Sequence, residues 1–375
     1  MDSRHAALLL AGMVFLAAPV NAQRAPSRLD SLDFSGTLFA NYQYHADTGV
    51  TRGSNSFDIE RIYLTFRMPV GKKLGVRVTS DIFQTQSTDG TVKGWLVRAK
   101  YAYLQYDYGT KETFGGVTRF GILQTEIIEL EETFWPRFIS KVAVDRAALV
   151  PPADGGLSNL LRFPNAKGEL YTAITNGPGF TSRETDRFKD YSARLTLTPL
   201  SQRSDWLKNL SVSAWTHHGS VGSKFSAGGA SQISPVSRAM PRNRWGLLVA
   251  ARDPRFTAGA HYGSMTDASE SGANTSASPR VERDSSGRFA SVFTTLKPAR
   301  FLSPQSKSPF GVVLRYDDFK TNRSTDIGYR LYIAGITADA SSRVSFALDY
   351  QLQDPRSGFT VSRTRTYFAH LVANF

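Results

Sequence analysis

Residues 363–375 read RTRTYFAHLVANF and close the chain. Counting back from Phe375, the side chains of Ala373, Leu371, Ala369 and Tyr367 share its parity. An apolar residue at every second position is the period of a strand, whose successive side chains leave on opposite faces. One face suits an apolar medium and the other a polar one. The same alternation runs upstream. In 73–84, Leu74, Val76, Val78 and Ile82 alternate with Lys73, Arg77, Thr79 and Asp81; in 55–68, Ile62, Leu64, Phe66 and Met68 alternate with Arg61, Tyr63, Thr65 and Arg67. In 33–45, Phe34, Leu38, Ala40, Tyr42 and Tyr44 share one parity, with Phe39 breaking the pattern of the other.

Further stretches repeat it at about 95–108, 116–125, 155–163, 168–176, 187–199, 208–218, 242–252, 255–265, 287–297, 309–319, 327–337, 342–353 and 362–374. The total is about sixteen strands, the even number that closed bacterial barrels use. The fold expected is therefore all-β, a transmembrane antiparallel β-barrel. The connections test this independently. With strands numbered from one, even-to-odd connections such as 69–72, 253–255 and 339–341 are short, whereas odd-to-even ones at 126–154, 177–186, 219–241 and 266–286 are long and polar. Short turns at one mouth and long loops at the other is the asymmetry of an outer-membrane barrel. Two even-to-odd segments, near 199–207 and 298–308, are longer than this rule wants; both contain proline and read as structured turns. Tyr106, Tyr108, Tyr316 and Tyr350 suit interfacial girdles. A soluble sandwich or β-helix also alternates, but predicts neither the loop asymmetry nor the aromatics on the apolar parity.

Composition sets the outer bounds. The 375 residues carry 45 Lys and Arg against 32 Asp and Glu, a net charge of +13, and no cysteine. A disulfide framework, Cys-ligated zinc and a Cys nucleophile are thereby excluded. Residues 1–22, MDSRHAALLLAGMVFLAAPVNA, give a basic start at Arg4 and His5, an apolar run from Ala6 to Val20 and a small-residue end at Ala22. They read as a cleaved signal peptide, leaving 23–375 as an exported barrel domain. No later stretch offers about 18 consecutive apolar residues, so membrane crossing falls to strands.

Motifs for catalysis are missing. His217 and His218 are adjacent, so on a strand they point to opposite faces and cannot easily share a ligand. Glu131, Glu132 and Asp145 have no spacing that supports a carboxylate pair, and no HExxH, GxSxG or phosphate loop is present. No enzyme, cofactor or metal is expected. Charge alone suggests nucleic acid, but the export signal argues against that partner.

Several stretches together resemble the phosphate-selective porin O and P family of Gram-negative outer membranes. They are NSFDIERIYLTFRM at 55–68, VRAKYAYLQYDY at 97–108, RFGILQT at 119–125, and YTAITNGPG at 171–179 followed by KDYSARLTLTP at 189–199. The resemblance covers about 30–200; beyond 200 it is architectural. Where many members have proline after Gln124-Thr125, this chain has Glu126. The resemblance implies a sixteen-stranded barrel, a homotrimer and passive permeation of small polar or anionic solutes, phosphate among the candidates. The terminal strand likewise looks like the signal that barrel-assembly machinery reads, with Phe375 as its last residue; strand addition with pockets at alternate positions supplies the physics.

Parity assigns the lumen. Arg61, Arg67, Arg77, Arg119, Arg194 and Arg315 face inward, as do Asp81, Asp317 and Asp349. A lipid-facing Arg or Lys costs about 2–4 kcal/mol at mid-depth, so inward placement is cheaper, and basic walls attract anions. The connection 126–154 is the candidate constriction, folded into the lumen. Its acids Glu126, Glu129, Glu131 and Glu132 precede Arg137, Lys141 and Arg146, an arrangement expected to set a field across the pore. Part of the positive charge can instead meet lipopolysaccharide and outer-membrane lipid. The alternative is a structural or receptor-type barrel closed by the same loop, without channel activity.

Overall fold

The computed structural model describes residues 31–47, 51–86, 93–110, 112–222, 239–271, 281–357 and 362–375. The chain divides into Met1–Leu32 and Asp33–Phe375. The expected signal peptide 1–22 lies outside the described residues. The second unit is a sheet of sixteen strands, each paired with its sequence neighbours and closed by pairing of the first with the last. In chain order they are β1 Asp33–His45, β2 Asn55–Pro69, β3 Leu74–Gln86, β4 Lys93–Tyr108, β5 Gly115–Gln124, β6 Ala153–Arg162, β7 Gly168–Thr175 and β8 Asp190–Leu197. There follow β9 Ser211–Gly222, β10 Ala239–Asp253, β11 Phe256–Ser271, β12 Val281–Leu296, β13 Phe310–Asn322, β14 Ile327–Asp339, β15 Val344–Pro355 and β16 Thr364–Asn374. All sixteen alternating stretches are strands. Among the described residues no helix is long and apolar enough to cross a membrane.

Several strands outrun their apolar pattern. β9 extends to Gly222, β10 begins at Ala239, β11 runs to Ser271 and β12 starts at Val281, shortening the expected connections 219–241 and 266–286. Hydrogen bonding between strands needs no apolar side chains, so the ladder persists where the alternation has faded. The two long even-to-odd connections hold short helical turns, Trp206–Asn209 in one and α3, Pro298–Leu302, in the other.

Alternation sorts the faces. Leu64, Phe66, Val78, Leu104, Phe120, Leu247, Val292, Leu314, Leu348 and Tyr367 lie outward, where a lipid would cover them. Outward aromatics gather toward the two ends. At the short-turn end Phe34 packs on Phe66 and Phe375, with ring centroids 5.0 and 6.5 Å apart, and Trp206, Phe256 and Phe301 form a second group. Toward the long-loop end come Tyr42 with Phe57, Trp245 with Tyr262, Tyr316 with Tyr332, and Tyr350 with Tyr367. Aromatic rings at both borders of an apolar band are the mark of a bilayer-spanning barrel.

Two β-bulges interrupt the inner face at one height. Phe39 pairs with Arg61 but Ala40 with Ile59, leaving Glu60 as the extra residue of β2. Thr79 pairs with Tyr101 but Ser80 with Ala99, leaving Lys100 as the extra residue of β4. A bulge sets two consecutive residues against one on the partner strand and re-aims a side chain. Here Glu60 joins Arg61, and Lys100 joins Tyr101, on the lumen side.

The connection between β5 and β6 does not project outward. It folds into the lumen with two short helices, α1 Ile128–Glu132 and α2 Ala143–Arg146. Its apolar side chains Ile127, Ile128, Trp135, Ile139, Val142, Val144, Leu149 and Val150 are buried in one cluster with the inner wall of β9–β15. That wall supplies Trp215, Leu248, Met265, Phe289, Phe293, Val313, Phe319, Leu331 and Ile333. An apolar inner wall would be an anomaly in a water-filled barrel; here the loop covers it. Beside the loop, open space lies against the opposite wall, where Arg61 and Tyr63 of β2, Asp81 of β3, and Arg98 and Lys100 of β4 face it.

Candidate functional site

The site is the gap between the loop and the wall β2–β5. Between them lies a cavity of about 220 Å³ lined by Arg61, Arg98 and Lys100 from the wall and Arg137 and Lys141 from the loop. The acidic side chains lining it are Asp81 and Asp145. Asp81 is buried and partners two of the arginines: Arg98 Nη2 is 2.8 Å from Oδ2, and Arg61 Nη1 is 3.7 Å from Oδ1. Arg137 meets bulged Glu60 at 2.9 Å and Glu132 at 3.7 Å; Lys141 Nζ meets Asp145 at 3.3 Å. Burial is the main influence on the Glu132 carboxyl, lifting it above the ordinary carboxylate range against the pull of Lys100 and Arg137. Five cations thus stand with Asp81, Asp145, Glu60 and Glu132, an excess of one positive charge when every group is ionised.

The loop's attachment explains how that geometry is held. Arg315 grips Asp317 with both ends of its fork, donates to the Lys141 carbonyl at 2.7 Å, and lies 5.1 Å from the Trp135 ring centroid. Gln351 donates to the Ile139 carbonyl at 3.0 Å, Arg244 to that of Leu149 at 3.0 Å, and Arg146 to Gln353 at 3.0 Å. Arg194 donates to the Glu126 carbonyl and pairs with Glu169. His217 sits between the carboxylates of Glu126 at 3.1 Å and Asp190 at 2.8 Å; His261 Nδ1 is 3.2 Å from Glu131. Trp135 donates its indole N–H to Ser140 within the loop.

The inward arginines expected from sequence therefore divide. Arg61 lines the narrow cavity. Arg77 lies beside it, donating to Thr79 at 3.1 Å, and Arg119 contacts Gln105 and Gln124 further toward the short-turn end. Arg67 faces the short-turn mouth, 3.3 Å from Asp33. Arg194 and Arg315 point inward as parity requires, yet are only 6% and 4% exposed, because the loop lies over them. They hold the loop rather than meet solute. The loop's acids divide similarly. Glu129 is exposed and accepts from Gln124 at 3.2 Å, and Glu132 is half-buried beside Arg137, whereas Glu126 and Glu131 are turned into the wall. Of the four acids expected to set a transverse field, only Glu129 and Glu132 stay on the passage side, and Asp145 joins them there. Sequence reasoning missed Glu60, Arg98 and Lys100. The only trace of the last was a break in alternation at Lys100-Tyr101.

Toward the short turns the passage widens to a chamber of about 1100 Å³ lined in part by Leu130 and Phe134 of the loop and by Lys73, Arg162, Lys208 and Arg252. Among the described residues no cluster of three or more His, Cys, Asp or Glu side chains is placed to hold a metal ion.

This architecture recurs in solved structures. An anion-selective porin from Comamonas acidovorans aligns over 92% of this chain and 99% of its own, with a TM-score of 0.62 and 9% identity. The fold is that of the Gram-negative outer-membrane porins. The outer membrane channel DcaP of Acinetobacter baumannii shares the porin fold over 92% of this chain and 97% of its own, with a TM-score of 0.59 at 14% identity. OmpT of Vibrio cholerae, an outer-membrane protein solved in a trimer form, does so over 92% and 99%, with a TM-score of 0.57 at 11% identity. No protein-family model and no curated protein matches the sequence. At such identities the porin fold is what is shared, and the resemblance to the O and P family stays confined to its motifs.

Proposed function

We propose that the chain is a passive outer-membrane channel for small hydrophilic solutes, with a preference for anions. The observation that carries this is the basic passage, where Arg61, Arg98 and Lys100 face Arg137 and Lys141 across about 220 Å³ of space. Net positive charge in a constriction bounded by low-dielectric walls concentrates anions and repels cations. The anion-selective neighbour supports the same reading. On this proposal residues 1–22 are removed on export, three copies assemble as in the trimeric neighbour, the outer loops contact lipopolysaccharide, and assembly machinery reads the strand ending at Phe375. The O and P resemblance keeps phosphate among the candidate solutes, and no catalytic step is assigned.

Purified protein in a planar bilayer is expected to give discrete conductance steps and, in a KCl gradient, a reversal potential on the chloride side. Lys141→Glu, which reverses one exposed charge in the passage, should lower the chloride-to-potassium permeability ratio about fivefold. A cation-side potential in the unaltered protein would end the anion reading. Absence of steps would favour the barrel closed by its own loop.

A further inference from the structure

The cations of the passage are laid against aromatic rings. Arg61 and Arg98 lie 4.7 and 4.2 Å from the centroid of Phe83, and Arg98 lies 4.6 Å from that of Phe180. Lys100 Nζ is 4.1 Å from the Tyr63 centroid, Arg77 4.6 Å from that of Tyr101, and Arg119 5.3 Å from that of Tyr103. Arg61, Phe83, Arg98 and Phe180 thus form a column in which guanidinium and ring alternate. Pro151, Pro152 and Pro178 complete the wall of the same narrow cavity. The chamber beyond it repeats the theme, with half-buried Phe134 in its lining and Arg252 5.6 Å from that ring's centroid.

This wall makes unequal demands on different anions. A small, strongly hydrated anion such as inorganic phosphate gains from the positive charge, but must give up water beside prolines and rings that return nothing. A flat organic anion gains twice. Its carboxylate finds guanidinium forks, and its ring stacks on aromatic faces or guanidinium planes while leaving water. Charge alone would need neither the column nor the prolines.

We propose that the passage selects aromatic monocarboxylates over small anions of equal charge, with Phe180 and Tyr63 as the specificity-determining rings beside Arg61, Arg98 and Lys100, and Phe83 as a positioning residue for the two arginines. The inference rests on the channel reading and narrows its solute class.

Bi-ionic reversal potentials with potassium benzoate on one side and potassium acetate on the other test it on the full chain. Benzoate is larger and diffuses more slowly, so a plain aqueous sieve passes acetate more readily. The expected result is a benzoate-to-acetate permeability ratio above one, and benzoate should block chloride current at lower concentration than phosphate does. Phe180→Ala should lower the ratio at least threefold, and Phe180→Trp should restore it. Leu302→Ala, at the exposed rim of the short-turn mouth, should leave it as it was. Both anions carry one charge, so an effect acting only through arginine placement would move them together. A ratio at or below one in the unaltered protein, an unmoved ratio in Phe180→Ala, or stronger block by phosphate overturns the solute class while leaving chloride preference intact. Loss of chloride preference itself overturns the anion reading instead, and absence of conductance steps the channel reading.

Discussion

His217 and His261 are the same residue type with different hydrogen-bond roles, and their partners fix which is which. Trp215 Nε1 can only donate, and it lies 2.9 Å from His261 Nε2, so that nitrogen accepts and the ring's proton sits on Nδ1, toward Glu131. His217 has a carboxylate oxygen at each ring nitrogen, which a ring with two N–H groups satisfies. Removing one partner of such a buried set leaves charge without compensation. His217→Ala should therefore lower stability by about 3 kcal/mol, read as an earlier midpoint of heat- or urea-driven unfolding in detergent. His218→Ala is the matched control. Its ring lies on the opposite, exposed face with Thr216 and Asn243, so its effect should stay within about 0.5 kcal/mol. Equal losses from the two substitutions would show that His217 anchors nothing.

At the scale of the element, the infolded loop decides what the barrel can pass, and one of its own groups makes that passage respond to pH. Burial holds the Glu132 carboxyl above its usual range, beside Lys100 and Arg137. An acid shifted upward is neutralised early as pH falls, so the passage loses this negative charge before ordinary carboxylates titrate. On acidification, anion preference should rise first through Glu132, and Glu132→Gln should hold the raised preference across that range with a flatter dependence. Reversal potential against pH measures both, and a profile identical in the variant would remove Glu132 from the account. By linkage, the neutral form is the one the fold favours, so this contribution is complete at low pH and fades as pH climbs past the shifted value. How much of this was legible beforehand depends on the element. Strands were legible because a lipid face and a water face impose period two on each stretch separately. The bulges at Glu60 and Lys100 were not, because one inserted residue exchanges inside for outside and leaves only a single defect in the pattern. The loop's lumen path was legible from length and resemblance, but its anchors were not. Glu126 meets a histidine 91 positions away, and Arg146 a glutamine 207 positions away, distances at which sequence spacing carries no signal.

For the molecule as a whole, closure is the step that turns a twisted ribbon into a wall without edges, and it depends on β16 finding β1. Their ladder runs from His45 opposite Thr366 to Thr37 opposite Asn374, and the last residue extends it. Gly36 N–H donates to the Phe375 carbonyl at 2.7 Å, and Phe375 N–H to the Gly36 carbonyl at 2.9 Å. The Phe375 ring lies over the glycine, so close that a Cβ there would stand 2.3 Å from it, and it continues outward to Phe34. Deleting Phe375 thus removes two backbone hydrogen bonds and an aromatic contact at the seam, while every other strand pairing is unchanged. Each hydrogen bond contributes about 1 kcal/mol net, a modest part of a barrel's total, so a barrel already formed should remain closed. Assembly is the vulnerable stage, because an unclosed sheet presents two unpaired edges in or beside the membrane. The truncated chain is expected to be exported normally but to accumulate unassembled, with the folded, heat-modifiable fraction in the outer membrane reduced several-fold. Its refolding in detergent from urea should be nearly that of the full chain. Normal membrane insertion of the truncated chain would show that the seam closes without its final residue and that Phe375 serves only the girdle.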